Sequence, residues 1–434
     1  MNMNHRARTR PWFVIAGLIV LVLGAGLLFW RAGARHHVER ARARFEAAVA
    51  RFHLNLGHPA AVPHRDNAAT WLRAAADLVD RDCIRKSIKL WRGRAWVRWT
   101  PAERDDAAAC VASNREVLDL LHRAARCSGS NWDLEYSLEG HTPPFLNLLY
   151  CARLLAISSS LHLAAGETDP ALEDLTAMAA IARSLNQEKM LITVLSGSAM
   201  EGLFLSTVSD AISAGLIGAA QVPALEAMLP RSNLVTAAQA ALGVETEMLV
   251  EGSPAMLRDP KSQPLNTAGV LMVHAGSWLG IPWRETLTAD LYDLGTRRLE
   301  LVVTPYAELH ANPPAPMSPH FPSGLVVPKN VFKHPIVVSI AGRAQETMAW
   351  RTLVRAGLAL LRAARSQGRY PATLPEPFET RQLFCDCSPK LEFHDDGSAR
   401  IFLPGAQKLS DVLWSWTEQR GYHRLELHLP PPKN

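Results

Sequence analysis

The chain carries little excess of either charge. Lys and Arg number 46 against 41 Asp and Glu, a formal net charge of +5 over 434 residues. So even a balance lacks the basic footprint of a nucleic-acid binder, and no nucleic-acid partner is expected. The usual catalytic signatures are missing too. There is no Gly-rich phosphate loop ending in Lys-Ser or Lys-Thr, no His-Glu-x-x-His and no Gly-x-Ser-x-Gly elbow. No segment recurs at a fixed period, which argues against a repeat array. Cysteine is sparse, at six residues. Cys385-Asp386-Cys387 falls one residue short of the common Cys-x-x-Cys zinc spacing, and no second pair follows at a fitting distance. No catalytic residue, cofactor or metal ligand is therefore assigned, and a binding or structural role is expected before an enzymatic one.

What the chain does have is one long uncharged run, "PWFVIAGLIVLVLGAGLLFW", Pro11 to Trp30. It is long enough to cross a hydrocarbon core of ~30 Å. Trp12 and Trp30 bracket it, as amphipathic rings do at membrane interfaces. The apolar run is longer than a signal-peptide h-region and no small-x-small cleavage site closes it, so an uncleaved anchor is expected. Arg6, Arg8 and Arg10 precede it; Arg31, Arg35, Arg40, Arg42 and Arg44 follow. The short basic N-terminus favours a cytoplasmic start with the bulk of the chain exported. A second apolar stretch, Asn266 to Trp283, is shorter and holds His274 and three glycines; it reads as a buried or interfacial helix.

Beyond the anchor the pattern is helical. Val38, Ala41, Phe45, Val49 and Phe52 recur at helical spacing, predicting a stalk that leaves the membrane, with His36 and His37 facing solvent. Gly57, Pro59 and Pro63 end it, and Asp66 is positioned to cap the next helix. "RDCIRKSIKLWRGRAWVRW" sets seven basic residues against one acid with Trp91, Trp96 and Trp99 interleaved. A hairpin turning at Gly93, with Trp inward, is expected there ahead of a patch lying on anionic headgroups. Thr100-Pro101 opens a helix to about Ala125. Three helices follow between Phe145 and Ile212: the first breaks at Gly166, the second is capped by Thr168 or Asp169, and the third starts after Asn186. The turn "AAGETDPALEDL" resembles a tetratricopeptide hairpin. Two more helices lie in "VPALEAMLP" and "NLVTAAQAALGVETEMLVEG", another near Trp283 to Leu299, and a strong one from about Ser339.

That last helix ends in "AGLALLRAARSQGRYPATLPE". Gly368 takes the left-handed conformation cheaply and Pro371 cannot continue a helix, so Tyr370 is expected to dock on the core. A hairpin follows, Leu391 to His394 and Ala399 to Leu403 about Asp395-Asp396-Gly397. This helix-GRYPATLP-sheet segment resembles the C-terminal part of uncharacterised bacterial single-pass membrane-anchored proteins, and its tail is similar to type II secretion pseudopilins. The resemblance implies the bacterial inner membrane, and the short basic N-terminus then favours a periplasmic bulk. The N-terminus departs from the pseudopilin pattern, lacking the Gly-Phe processing site and the Glu inside the apolar run, and the calcium-binding carboxylates of some pseudopilins are not carried over.

The expected fold is mainly α: a basic tail (1–10), an anchor (11–30), a helical domain (31–260), a Pro-rich connecting region (261–338), and a long helix with a small β-containing tail (339–434). The expected partners are the bilayer and another envelope protein. A hydrolase site would have to be assembled from dispersed residues such as Glu135, His141 and Glu247. Glu247 and Glu251 share a helix face with Glu245 nearby, a pattern that is usually solvated. In an exported domain one disulfide is expected from Cys83 to Cys110 or Cys127, with Cys151 a small buried hydrophobe.

Overall fold

The computed structural model describes residues 10–91, 99–137, 140–258, 282–315, 317, 335–374, 383–385, 387–406, 408–409 and 425–432. Gly93, Trp96 and all of Asn266 to Trp283 but its last two residues lie outside them. The described chain is mainly helical. Its α-helices are α1 (Arg10–Arg51), α2 (Ala68–Leu78), α3 (Arg81–Trp91), α4 (Pro101–Ser113), α5 (Arg115–Arg126), α6 (Phe145–Ala165), α7 (Thr168–Asn186), α8 (Leu191–Ser213), α9 (Val222–Met228), α10 (Leu234–Arg258), α11 (Trp283–Val302), α12 (Tyr306–Ala311) and α13 (Pro335–Gln367). One antiparallel sheet joins β1 (Lys390–Phe393), β2 (Ala399–Phe402) and β3 (Glu426–Leu429) in chain order.

The chain divides into two compact units. The anchor unit holds Met1–His53, Thr246–Leu299 and Ala315–His334; the body holds Leu54–Glu245, Glu300–Pro314 and Pro335–Asn434.

In the anchor unit, α1 runs unbroken for 42 residues, about 63 Å at 1.5 Å per residue. Its first half exposes Val14, Leu18, Leu21, Leu28 and Phe29. Its second half buries one face, Ala34, Ala41, Phe45 and Ala48. The stalk is thus continuous with the apolar segment, but Ala48 rather than Val49 faces inward. Phe45 packs 5.4 Å from the ring of Tyr292 on α11. Gly295 lies beside that contact, where a Cβ would press on Thr246 and Phe45. Trp283, Leu287, Leu291 and Leu294 form a cluster with Leu249, Val250 and Met317. Asp293 takes Arg44 at 2.6 Å and faces His37 at 3.9 Å. His36 is open to solvent as expected, but His37 is half-buried.

In the body, α6, α7 and α8 pack on one another in sequence, α5 lies on α2 and α7, and α13 lies on α8. The local signals explain most boundaries. Gly166 closes α6 at φ 79°. Thr100 and Glu103 form a reciprocal capping box that starts α4. Several expectations need correction. Asn67, not Asp66, caps α2 by accepting from Ala69 N–H. The helix from Thr100 breaks at Asn114, whose amide holds Cys110 O at 2.9 Å, giving two helices. Arg81 to Trp91 is helical rather than the first arm of a hairpin. No side chain caps α7, which opens at Thr168; α8 starts at Leu191, and α13 already starts at Pro335.

The GRYPATLP stop behaves as its residues dictate. Gly368 has φ 68° and donates to Ala364 O at 2.8 Å. Tyr370 is buried and its hydroxyl donates to Pro430 O at 2.6 Å. The hairpin pairs Phe393 with Ala399, and β3 adds a third strand against β2. Leu427 of β3 sits so close to Gly357 of α13 that a Cβ there would collide with it.

Among the described residues, three helices are long and apolar enough to cross a membrane: α1, α6 and α8. The apolar window of α1 is 0% buried, whereas those of α6 and α8 are 67% and 78% buried.

Candidate functional site

The loop between α5 and α6 is built by two asparagines. Asn67 Oδ1 accepts from Asn131 N–H at 3.0 Å while its Nδ2 donates to Asn131 O at 2.8 Å. Asn131 in turn donates to Ala60 O at 3.1 Å and accepts from Asp133 N–H at 2.7 Å. Side chains that mimic backbone partners hold a turn without a sheet or helix. The turn sends Trp132 fully into the core, where its indole N–H donates to Ser184 Oγ at 2.9 Å.

A buried carboxylate secures the same turn. Glu188, between α7 and α8, accepts from Trp132 N–H at 2.8 Å and from the Tyr136 hydroxyl at 3.1 Å. Burial raises the Glu188 pKa, and these two hydrogen bonds oppose the rise. Burial likewise raises that of Tyr136, on which His58 stacks at 4.2 Å. Lys189 donates to Gly57 O, and burial lowers its pKa.

Adjoining this scaffold is an open cleft of about 380 Å³ lined by Arg73, Asp133, Leu134, Glu135, His141, Thr142, Pro143 and Pro144. Arg73 is held by donating to Trp132 O and lies 5.5 Å from the Trp132 ring centroid. Asp133 has φ 52°, a left-handed conformation that aspartate tolerates better than most non-glycine residues. At Gly140 a Cβ would strike the carbonyl of Glu135, so the loop closes on itself only with glycine there. The cleft thus sets one guanidinium, two carboxylates and an imidazole on a wall of Leu and Pro, a mixed polar and apolar surface. No activated nucleophile is among the lining groups, and among the described residues no three His, Cys, Asp or Glu are grouped to hold a metal ion.

Of the dispersed residues considered from sequence, Glu135 and His141 line this cleft. Glu247 does not; it belongs to the anchor unit, where burial and then Glu251 raise its pKa and Arg42 opposes them. Arg73, Asp133 and the Trp132–Glu188 contact belong to no motif. Their one sequence signal is "SNWDLEY", a Trp set between turn-forming residues in an otherwise polar loop.

A buried and a partly buried ion pair also cross the body. Arg351 of α13 donates to Glu201 of α8 at 2.7 Å, both side chains nearly or wholly buried. His122 of α5 meets Asp174 of α7 at 2.8 Å. Cys83 is bonded to Cys110, one of the two pairings expected, and Cys385 to Cys387. Cys127 is free and half-buried; Cys151 is buried, which pushes its thiol up to about 12.

Comparison with protein-family models, curated proteins and solved structures finds no match to this chain.

Proposed function

We propose that this chain is a single-span, membrane-anchored and non-catalytic interaction protein of the bacterial cell envelope, with its body in the periplasm. The observation that carries the reading is α1: an apolar half exposed on all sides runs without a break into a half that packs as a soluble helix does. Exposed apolar surface of that extent in water is costly, and a bilayer removes the cost. A single span is favoured because α6 and α8, though apolar enough to cross, are mostly covered by protein. The tetratricopeptide-like hairpin of α6 and α7 and the Arg73–His141 cleft supply the binding body.

One observation favours a second reading, a pseudopilin-like component of a secretion apparatus. A long helix stopped at Gly368 and followed by a small antiparallel sheet fits that tail.

The test is expression of the intact chain in bacteria, with protease added to spheroplasts and a photo-crosslinking residue placed at Glu135. The interaction reading expects a full-length membrane-bound protein, digestion of the body from outside, and a discrete crosslinked product. N-terminal processing with polymerisation supports the second reading instead. A body protected from protease overturns the orientation.

A further inference from the structure

We propose that Cys385 and Cys387 form a redox-active pair that exchanges with dithiols, while Cys83–Cys110 is a structural bridge. The two disulfides sit in opposite physical situations. Cys83–Cys110 joins α3 to α4 across a separation of 27 residues, with Cys110 buried. Cys385–Cys387 spans a separation of 2 residues, and both cysteines are half-buried rather than enclosed.

The short bridge is not what holds its surroundings. On its N-terminal side, Tyr306 N–H donates to Leu383 O and Ala307 N–H to Phe384 O, each at 3.2 Å. Phe384 is fully buried and stacks on Tyr306 at 5.2 Å. On its C-terminal side, Lys390 already pairs with Phe402 in the sheet. Both flanks are fixed by packing and hydrogen bonds, so opening the bridge frees one short turn and leaves these contacts in place. A disulfide stabilises largely by restricting the unfolded chain, and a ring this small restricts little. A bridge that is weakly coupled to folding and only partly covered is the kind that exchanges.

The exchange balances with a dithiol as the co-reactant. One substrate thiolate attacks a sulfur of the Cys385–Cys387 bond, forming a mixed disulfide and releasing the other cysteine as thiolate. The second substrate thiolate attacks the substrate sulfur of that mixed disulfide, closing a substrate disulfide and releasing the second cysteine thiolate. Two electrons pass from the substrate dithiol to the cysteine pair, and the two protons given up by the substrate thiols are taken up, through solvent, by the released cysteine thiolates. Run in reverse, the reduced pair opens a substrate disulfide. The natural partner class is an accessible protein dithiol or disulfide.

The experiment equilibrates the full chain, in detergent micelles, with reduced and oxidised glutathione at a series of ratios. Free thiols are then trapped by alkylation and each cysteine pair is read by peptide mass spectrometry. Loop size alone separates the two bridges by ~30-fold in the equilibrium for reduction. The expected result is that Cys385–Cys387 is half-reduced at a ratio at least about thirtyfold less reducing than Cys83–Cys110 requires. Circular dichroism is expected to stay unchanged across that step. Cys387→Ser is expected to trap glutathione on Cys385. Joint reduction of both pairs, or loss of structure when Cys385–Cys387 opens, overturns the proposal. So does a Cys385→Ser/Cys387→Ser variant that fails to fold, since it makes the bridge structural.

Discussion

Glu188 and Trp132 meet through a carboxylate oxygen and a backbone N–H 2.8 Å apart, across 56 residues of chain. The turn between α7 and α8 thereby fixes the loop that carries Arg73's partner carbonyl and the cleft residues. Glu188→Ala strands the buried Trp132 N–H and removes the acceptor of the Tyr136 hydroxyl. An unsatisfied buried polar group costs roughly 1–3 kcal/mol, so a loss of about 2–4 kcal/mol is expected for the two. Glu188→Gln keeps an acceptor and sheds the buried charge, and should lose about 1 kcal/mol or less. Urea unfolding followed by tryptophan fluorescence checks the order; equal losses in both variants would contradict the role given to the hydrogen bonds.

A second prediction concerns the ion pair between α8 and α13. Glu201 is wholly buried and Arg351 nearly so, and the carboxylate's other oxygen has no hydrogen-bond partner. Arg351→Met leaves that buried charge without its hydrogen-bonding partner, with only the longer-range charge of Arg355 acting on it, and should cost about 3–5 kcal/mol. Adding Glu201→Leu removes the orphaned charge, and the double variant should recover most of the loss despite having one more substitution. Unfolding midpoints of the wild type, both singles and the double decide it. Losses that merely add would mean the two groups are not coupled.

Most helices were legible because their signals are local; Arg81–Trp91 and the break at Asn114 were not. The capping pair Thr100–Glu103, the left-handed Gly166 and the Gly368-Tyr-Pro stop each act within one turn of chain. The third strand was legible in principle: Leu425, Leu427 and Leu429 are buried and alternate with Glu426 and His428. The candidate site was not, because its contacts are distant. Nothing near Trp132 announces Glu188, and nothing near Arg73 announces His141. Helix α8 is buried on nearly every side, so the amphipathic pattern that reads surface helices gives no face to Glu201. The two units are equally hidden, since each is assembled from segments far apart in the chain.

The His122–Asp174 pair predicts a pH dependence of stability. Partial burial works against a charged ring, but the hydrogen bond and charge of Asp174, helped by Glu173 and opposed by Arg126, raise the His122 pKa above its usual 6.5. A raised folded pKa means the folded state holds the proton more tightly. The contribution is therefore fully present below pH 6.5 and is lost as pH rises from there through the folded pKa. His122→Asn should flatten that part of the profile. Unfolding midpoints between pH 5.5 and 8.5, or roughly across the His range, provide the check. An identical slope in the variant assigns the effect to another group.

The last prediction tests the anchor. Leu21 stands near the middle of the exposed apolar half of α1, 71% exposed. An Arg at the centre of a spanning helix costs roughly 2.5–3.5 kcal/mol on insertion scales, enough to shift insertion by about a hundredfold. Leu21→Arg should therefore move a large share of the chain out of the carbonate-resistant membrane fraction. Glu39→Arg is the control. Its side chain is 77% exposed and lies on the same helix, beyond the apolar run. It makes a charge change of the same sign outside the hydrocarbon and should leave membrane association intact. If both variants stay membrane-bound, α1 is not the element that holds the protein there. If both are released, association depends on surface charge rather than on burying an apolar helix.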